Sequence, residues 1–110
     1  MPPGVDPLLA RTITDCLRAA VPRGLRRVLL FGSRASGAAR PDSDVDLLVV
    51  ETDVRDRLAE VARLRTALAG LPHPVDVWVM DAVEFEETRG VIGGLAYPAD
   101  RYGVVLHEDA

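Results

Sequence analysis

Two carboxylates at the mouth of an apolar run constrain this chain more than any other feature. Ser43-Asp44-Val45-Asp46 leads directly into Leu47-Leu48-Val49-Val50. In an extended strand, the i, i+2 spacing puts Asp44 and Asp46 on one face and Val45 on the other. Like charges side by side repel, and burying them without partners costs roughly several kcal/mol per ion. A divalent cation accounts for such a pair, because hard cations take carboxylate oxygens as ligands. The plain alternative is a strand start solvated at a turn, where Asp is common.

The rest of the chain reads as alternating strands and helices. Residues 7–21 form an amphipathic helix with Pro7 in its first turn and Leu9, Ile13, Cys16, Leu17, Ala20 and Val21 on one face. Residues 26–31 read as a short buried strand that ends at Gly32-Ser33. Residues 32–43 hold no large apolar side chain and form a loop, with one helical turn over 35–39. Residues 44–50 are the second strand. Thr52 or Asp53 then caps a helix whose apolar face is Val54, Leu58, Val61, Ala62 and Leu68, with Gly70 and Pro72 at its end. Residues 75–80 are the third strand, with Val75, Val77 and Val79 on one face and Asp76, Trp78 and Met80 on the other. A helix over 81–95 has Asp81 as cap and Glu84 in capping-box position, and is weakened beyond Arg89 by Gly90, Gly93 and Gly94. Residues 102–107 make a last strand at a sheet edge.

Several side chains take plain roles. Cys16, Trp78 and Phe85 are expected in the core, and Tyr97 and Tyr102 at the surface or an interface. His73 and His107 have no zinc spacing between them.

Composition narrows the function. The 110 residues, 48% of them hydrophobic, suit one domain spanning 1–110 with a real core. The net charge of −4 argues against direct nucleic-acid binding. All 13 basic residues are Arg, so no lysine is available as a phosphate ligand or Schiff base. A single Cys excludes an internal disulfide. No apolar run reaches membrane-spanning length, and Met1-Pro2-Pro3-Gly4 lacks signal-peptide character, so a cytoplasmic protein with no membrane contact is expected.

A third aspartate completes the pattern. Asp76 is a charge inside an otherwise apolar strand. If its strand pairs with that of Asp46, three carboxylates converge at one sheet edge, a set suited to one or two magnesium ions. Gly32-Ser33 would lie beside them, where glycine lets the backbone approach a phosphate and the serine hydroxyl donates to it.

Gly32-Ser33, ten residues, Asp44-x-Asp46, then an isolated strand Asp76 resembles the nucleotidyltransferase superfamily that includes DNA polymerase beta. The string Phe31-Gly32-Ser33-Arg34-Ala35 … Ser43-Asp44-Val45-Asp46-Leu47-Leu48-Val49 resembles its minimal branch, and the resemblance covers nearly the whole chain. It implies an α/β (α+β) fold of polymerase beta type, a small mixed sheet flanked by helices. It implies that Gly32 and Ser33 bind the triphosphate of ATP and that Arg34 contacts a phosphate, with an exposed loop arginine as the plain reading of Arg34. It implies that Asp44 and Asp46 bind both Mg2+ ions and that Asp76 completes the one that activates the acceptor hydroxyl. Small members of this branch are antitoxins that transfer AMP to a tyrosine of a HEPN-type toxin, so that toxin is the implied partner. Two other readings stand beside it: an antitoxin that neutralises by contact alone, and a small-molecule nucleotidyltransferase of the aminoglycoside kind. Larger relatives add a helical domain that helps to hold the acceptor. With no such domain in these 110 residues, another protein or subunit is expected to complete the acceptor site.

Overall fold

The computed structural model describes residues 5–40 and 42–109. Helix α1 (Pro7–Ala20) begins where the Leu8 N–H donates to the Asp6 carboxylate at 2.9 Å, with Pro7 at a position whose amide needs no helical partner. Its inner face buries Ala10, Ile13 and Leu17 completely or nearly so. Burying a side chain as large as Ile13 or Leu17 contributes about 1.5–3 kcal/mol.

Strands β1 (Leu25–Phe31), β2 (Val45–Glu51), β3 (Val75–Asp81) and β4 (Val104–Glu108) form one sheet in the order β3-β2-β1-β4. β1 runs antiparallel to both β2 and β4, whereas β2 and β3 are parallel. The parallel pair needs a crossover, which α3 (Arg57–Ala67) supplies. Side-chain alternation sends Val28, Leu30, Val45, Leu47, Val49, Val77 and Val79 to one face, where Ile13 and Leu17 of α1 and Leu64 of α3 meet them. The other face carries Leu29, Leu48, Val50 and Met80. Phe85 of α4 (Ala82–Thr88) and Ala96 and Ala99 of α5 (Ala96–Tyr102) pack there. β2 is therefore covered on both sides over Leu47–Val50, which explains its unbroken apolar run.

The second face is covered over only part of its length. Met80 is buried, but Trp78 and Asp76, further back along the same strand, are exposed. An open end of the sheet results, next to the start of β2. No helix among the described residues is long and apolar enough to cross a membrane.

Several local expectations shift. The helical turn after β1 is α2 (Ser33–Ser36), not 35–39, because the Gly32 carbonyl already accepts from the Ala35 and Ser36 N–H groups at 3.1 and 3.2 Å. α3 is capped by Asp56, which accepts from the Ala59 N–H at 3.1 Å. Thr52 is engaged elsewhere: its N–H and hydroxyl both donate to the Gly24 carbonyl. The inner face of α3 centres on Leu64 with Val61 and Leu68; Leu58 is 82% exposed and Ala62 also faces solvent. The helix expected over 81–95 stops at Thr88, with the Asp81 cap in place and accepting from the Glu84 N–H at 2.8 Å. A separate helix, α5, then occupies residues that include Tyr102, and β4 starts at Val104 on the sheet edge. Phe85 is core as expected, whereas Trp78 is not: at 37% exposure it lies on an outer strand beyond the reach of α4.

Candidate active site

Asp46 is the second residue of β2 and lies in register with Phe31 on one side and Asp76 on the other. Adjacent strands are about 4.8 Å apart, so two carboxylates on the same face and at the same level are close neighbours. Asp44 lies two residues back, just before β2, and is exposed. The three charges share one field. Burial, and after it the charges of Asp76 and then Asp44, push the Asp46 carboxyl above its ordinary value.

Gly32 closes the other side of Asp46. Its φ of +75° is a conformation that favours glycine, and a Cβ added there would overlap the Asp46 carboxylate oxygen Oδ2. The main chain at the end of β1 therefore touches the carboxylate directly, and Ser33 follows as the first residue of α2.

Arg34 is part of this arrangement through its carbonyl contacts. Its Nε and Nη2 donate to the Ser43 carbonyl at 3.0 and 2.7 Å, and Nη2 also donates to His73 Nδ1 at 3.1 Å. One planar guanidinium thus ties α2 to the residue before Asp44 and to the approach of β3. The Val45 N–H donates to the Pro74 carbonyl at 2.8 Å, which joins the same two segments. Sequence reasoning left His73 unassigned; its link to Arg34 spans 39 residues and has no local signature.

The donor set suits a hard cation. It consists of carboxylates alone, with neither thiol nor imidazole, and the raised Asp46 pKa reflects burial first and then the charges of Asp76 and Asp44, which a cation offsets. In their present rotamers, no three His, Cys, Asp or Glu side chains among the described residues close on a single point. Asp44 and Asp76 are exposed, so other staggered rotamers are open to both. A divalent cation would be held by these three residues and would neutralise charge on a phosphoryl group as it transfers.

An aromatic pair, of which the sequence reading had assigned Trp78 to the core, adjoins the carboxylates. Phe31 and Trp78 lean together over β2 with ring centroids 5.2 Å apart and planes at 52°. The signal was present in the alternation of β3, which puts Asp76 and Trp78 on the same face.

A family described as nucleotidyltransferase domain matches residues 10–95. No curated protein matches the chain. Among solved structures, a chain of a toxin–antitoxin crystal structure with AMP-PNP is 25% identical, with a TM-score of 0.63 over 91% of this chain and 73% of that one. A chain of the toxin–antitoxin MntA-HepT is 22% identical, with a TM-score of 0.65 over 94% and 74%. A chain of the complex between tri-AMPylated Shewanella oneidensis HEPN toxin and MNT antitoxin is 24% identical, with a TM-score of 0.57 over 93% and 71%.

Proposed function

The chain belongs to the nucleotidyltransferase domain family, and from that premise we propose that it is the antitoxin of a toxin–antitoxin pair, a single domain over 1–110 that transfers AMP from ATP to a tyrosine of a HEPN-type toxin with magnesium bound. The observation that carries the reading is the direct register of Asp46 with Asp76 beside Gly32. Similarity to chains of toxin–antitoxin complexes, one described with AMP-PNP, supports the choice of partner and nucleotide.

In this reading the phenolic oxygen bonds to the α-phosphorus of ATP, the bond to the bridging oxygen breaks, and pyrophosphate leaves. Gly32 and Ser33 let the main chain and a hydroxyl approach the triphosphate, and Arg34 braces their loop. Asp44 and Asp46 would hold magnesium, which would neutralise charge on the phosphoryl group as it transfers. Asp76, on the outer strand, completes the set on the acceptor side and takes the phenolic proton. The site works in the cytoplasm, where ATP is available.

The test separates covalent modification from contact. A HEPN-type toxin is incubated with this protein, ATP and magnesium, recovered under denaturing conditions and refolded. It is expected to stay inactive and to carry the added mass of AMP, whereas Asp44→Asn protein or omission of ATP gives back active toxin. A contact antitoxin inhibits only while bound. Full nuclease activity with unchanged toxin mass after wild-type treatment would overturn the enzymatic reading.

A further inference from the structure

We propose that Trp78, backed by Phe31, is the platform on which the aromatic ring of the acceptor lies, and that it makes this site select a phenol over an aliphatic alcohol. The inference rests on the transfer reading above and assigns its acceptor subsite. Asp76 and Trp78 are i and i+2 on β3, so they share a face and lie about 7 Å apart along the strand. They also lie on the open end of that face, beyond the cover of α4 and α5.

In-line displacement puts the leaving group and the attacking oxygen on opposite sides of the phosphorus. The strand order supplies two such sides. Gly32 and Ser33, at the end of β1, flank Asp46 on one side, and Asp76 on the outer strand β3 flanks it on the other. If the pyrophosphate leaves towards Gly32 and Ser33, the acceptor enters over β3. The first large surface it meets beside Asp76 is Trp78.

That surface is preorganised. Phe31 contacts the indole at a centroid distance of 5.2 Å and a tilt of 52°, which fixes the ring from the β1 side. The indole is still 37% exposed, on a sheet face where its neighbour Leu48 is fully buried. A phenol ring resting there directs its hydroxyl back along β3 towards Asp76. A serine or threonine hydroxyl has no ring to stack, and gains nothing from the indole.

Trp78 is the only tryptophan in the chain, so its fluorescence reports on this surface directly. The emission, excited where tyrosine does not absorb, is followed during titration with N-acetyl-tyrosinamide, N-acetyl-serinamide and magnesium–ATP. A saturable change is expected with the tyrosinamide and not with the serinamide. Saturation by magnesium–ATP with no response to tyrosinamide would make the platform a base-binding surface and overturn the proposal, as would no response to any probe. In transfer assays, Trp78→Leu is expected to raise the acceptor KM about five- to tenfold, the loss of one aromatic stacking contact. Its kcat and its stabilisation by magnesium–ATP stay as in wild type, and Trp78→Phe restores most of the loss. An unchanged acceptor KM in Trp78→Leu overturns the assignment. If wild-type protein transferred nothing to any hydroxyl but still saturated with tyrosinamide, the transfer reading would fall and the phenol-binding surface would stand.

Discussion

Gly32 lies so close to Asp46 that any side chain at position 32 would overlap the Asp46 carboxylate. The contact joins the end of β1 to the start of β2, and it makes the main chain of one motif a wall for the charged group of the other.

Gly32→Ala should therefore damage both fold and site. At φ +75° and ψ −156° the backbone occupies a region that is essentially glycine-only, where an L-residue costs about 1–3 kcal/mol, and the new methyl group displaces the carboxylate. A lower urea midpoint together with collapse of nucleotidyl transfer is expected. A folded variant that transfers at the wild-type rate would show that Asp46 does not need this wall.

Asp46→Asn should separate stability from activity. Because the folded-state pKa of Asp46 is raised, its folding contribution is fully present below the ordinary carboxylate range and is lost as pH rises through the shifted value. The charged form is thus disfavoured by burial first and then by the charges of Asp76 and Asp44, and the neutral amide removes both costs. The variant should match or exceed wild type in thermal stability at neutral pH but lose transfer. Wild-type protein should gain about 2.7 kcal/mol at roughly 100 times the dissociation constant of magnesium–ATP, and the variant far less. Equal thermal upshifts with and without magnesium would count against a metal role for these carboxylates.

Glu51 predicts a pH dependence away from the site. It ends β2 at 7% exposure, with Oε2 lacking a hydrogen-bond partner among the described residues. Burial foremost, then the Glu60 hydrogen bond and charge, push its pKa from 4.5 up to about 8, against a smaller opposing pull from Arg63. Arg63 grips Glu60 at 2.8 and 2.6 Å and holds that carboxyl below its ordinary value, so Glu51 keeps the proton. Between pH 4.5 and about 8 the folded state holds a proton that the unfolded chain has lost. Stability from this group is therefore complete below 4.5 and declines as pH rises through about 8. Glu51→Gln should raise stability by about 1 kcal/mol or more near the upper end and flatten the profile of urea midpoint against pH. An unchanged slope would show that another group sets it.

Arg34→Lys keeps the charge and loses the fork. One ammonium cannot reproduce Nε and Nη2 on the Ser43 carbonyl and also the His73 contact. Losing one such charged hydrogen bond costs about 1.5–3 kcal/mol at most, so a measurable fall in the urea midpoint and a slower transfer step are expected. Magnesium–ATP affinity should change little. The opposite pattern, lost affinity with unchanged stability, would make Arg34 a direct phosphate ligand instead of a brace.

What was legible in the sequence was local. Unbroken apolar runs marked the strands over Leu47–Val50 and Val77–Met80, and the Asp81-x-x-Glu84 spacing marked the start of α4, because each depends on neighbours a few residues away. The motif Gly32-Ser33 with Asp44, Asp46 and Asp76 was legible for the same reason: its residues sit where strands begin and end.

Tertiary structure alone decided which of these pieces meet. The pairing of Asp46 with Asp76 required β2 and β3 to lie side by side and parallel, a long-range contact that no short window encodes. Burial of α3 through Leu64 instead of Leu58 followed from the face it turns to the sheet. Trp78 and Glu51 were decided the same way, and in opposite directions. Composition marks a tryptophan for the core and a glutamate for the surface. Here Trp78 lies on the edge strand β3, further back than the Met80 that Phe85 of α4 covers, which leaves the indole open, while Glu51 ends a central strand beneath α3 and is closed in. Burial is set by what the rest of the chain lays over a residue, and that is a property of the whole packing arrangement.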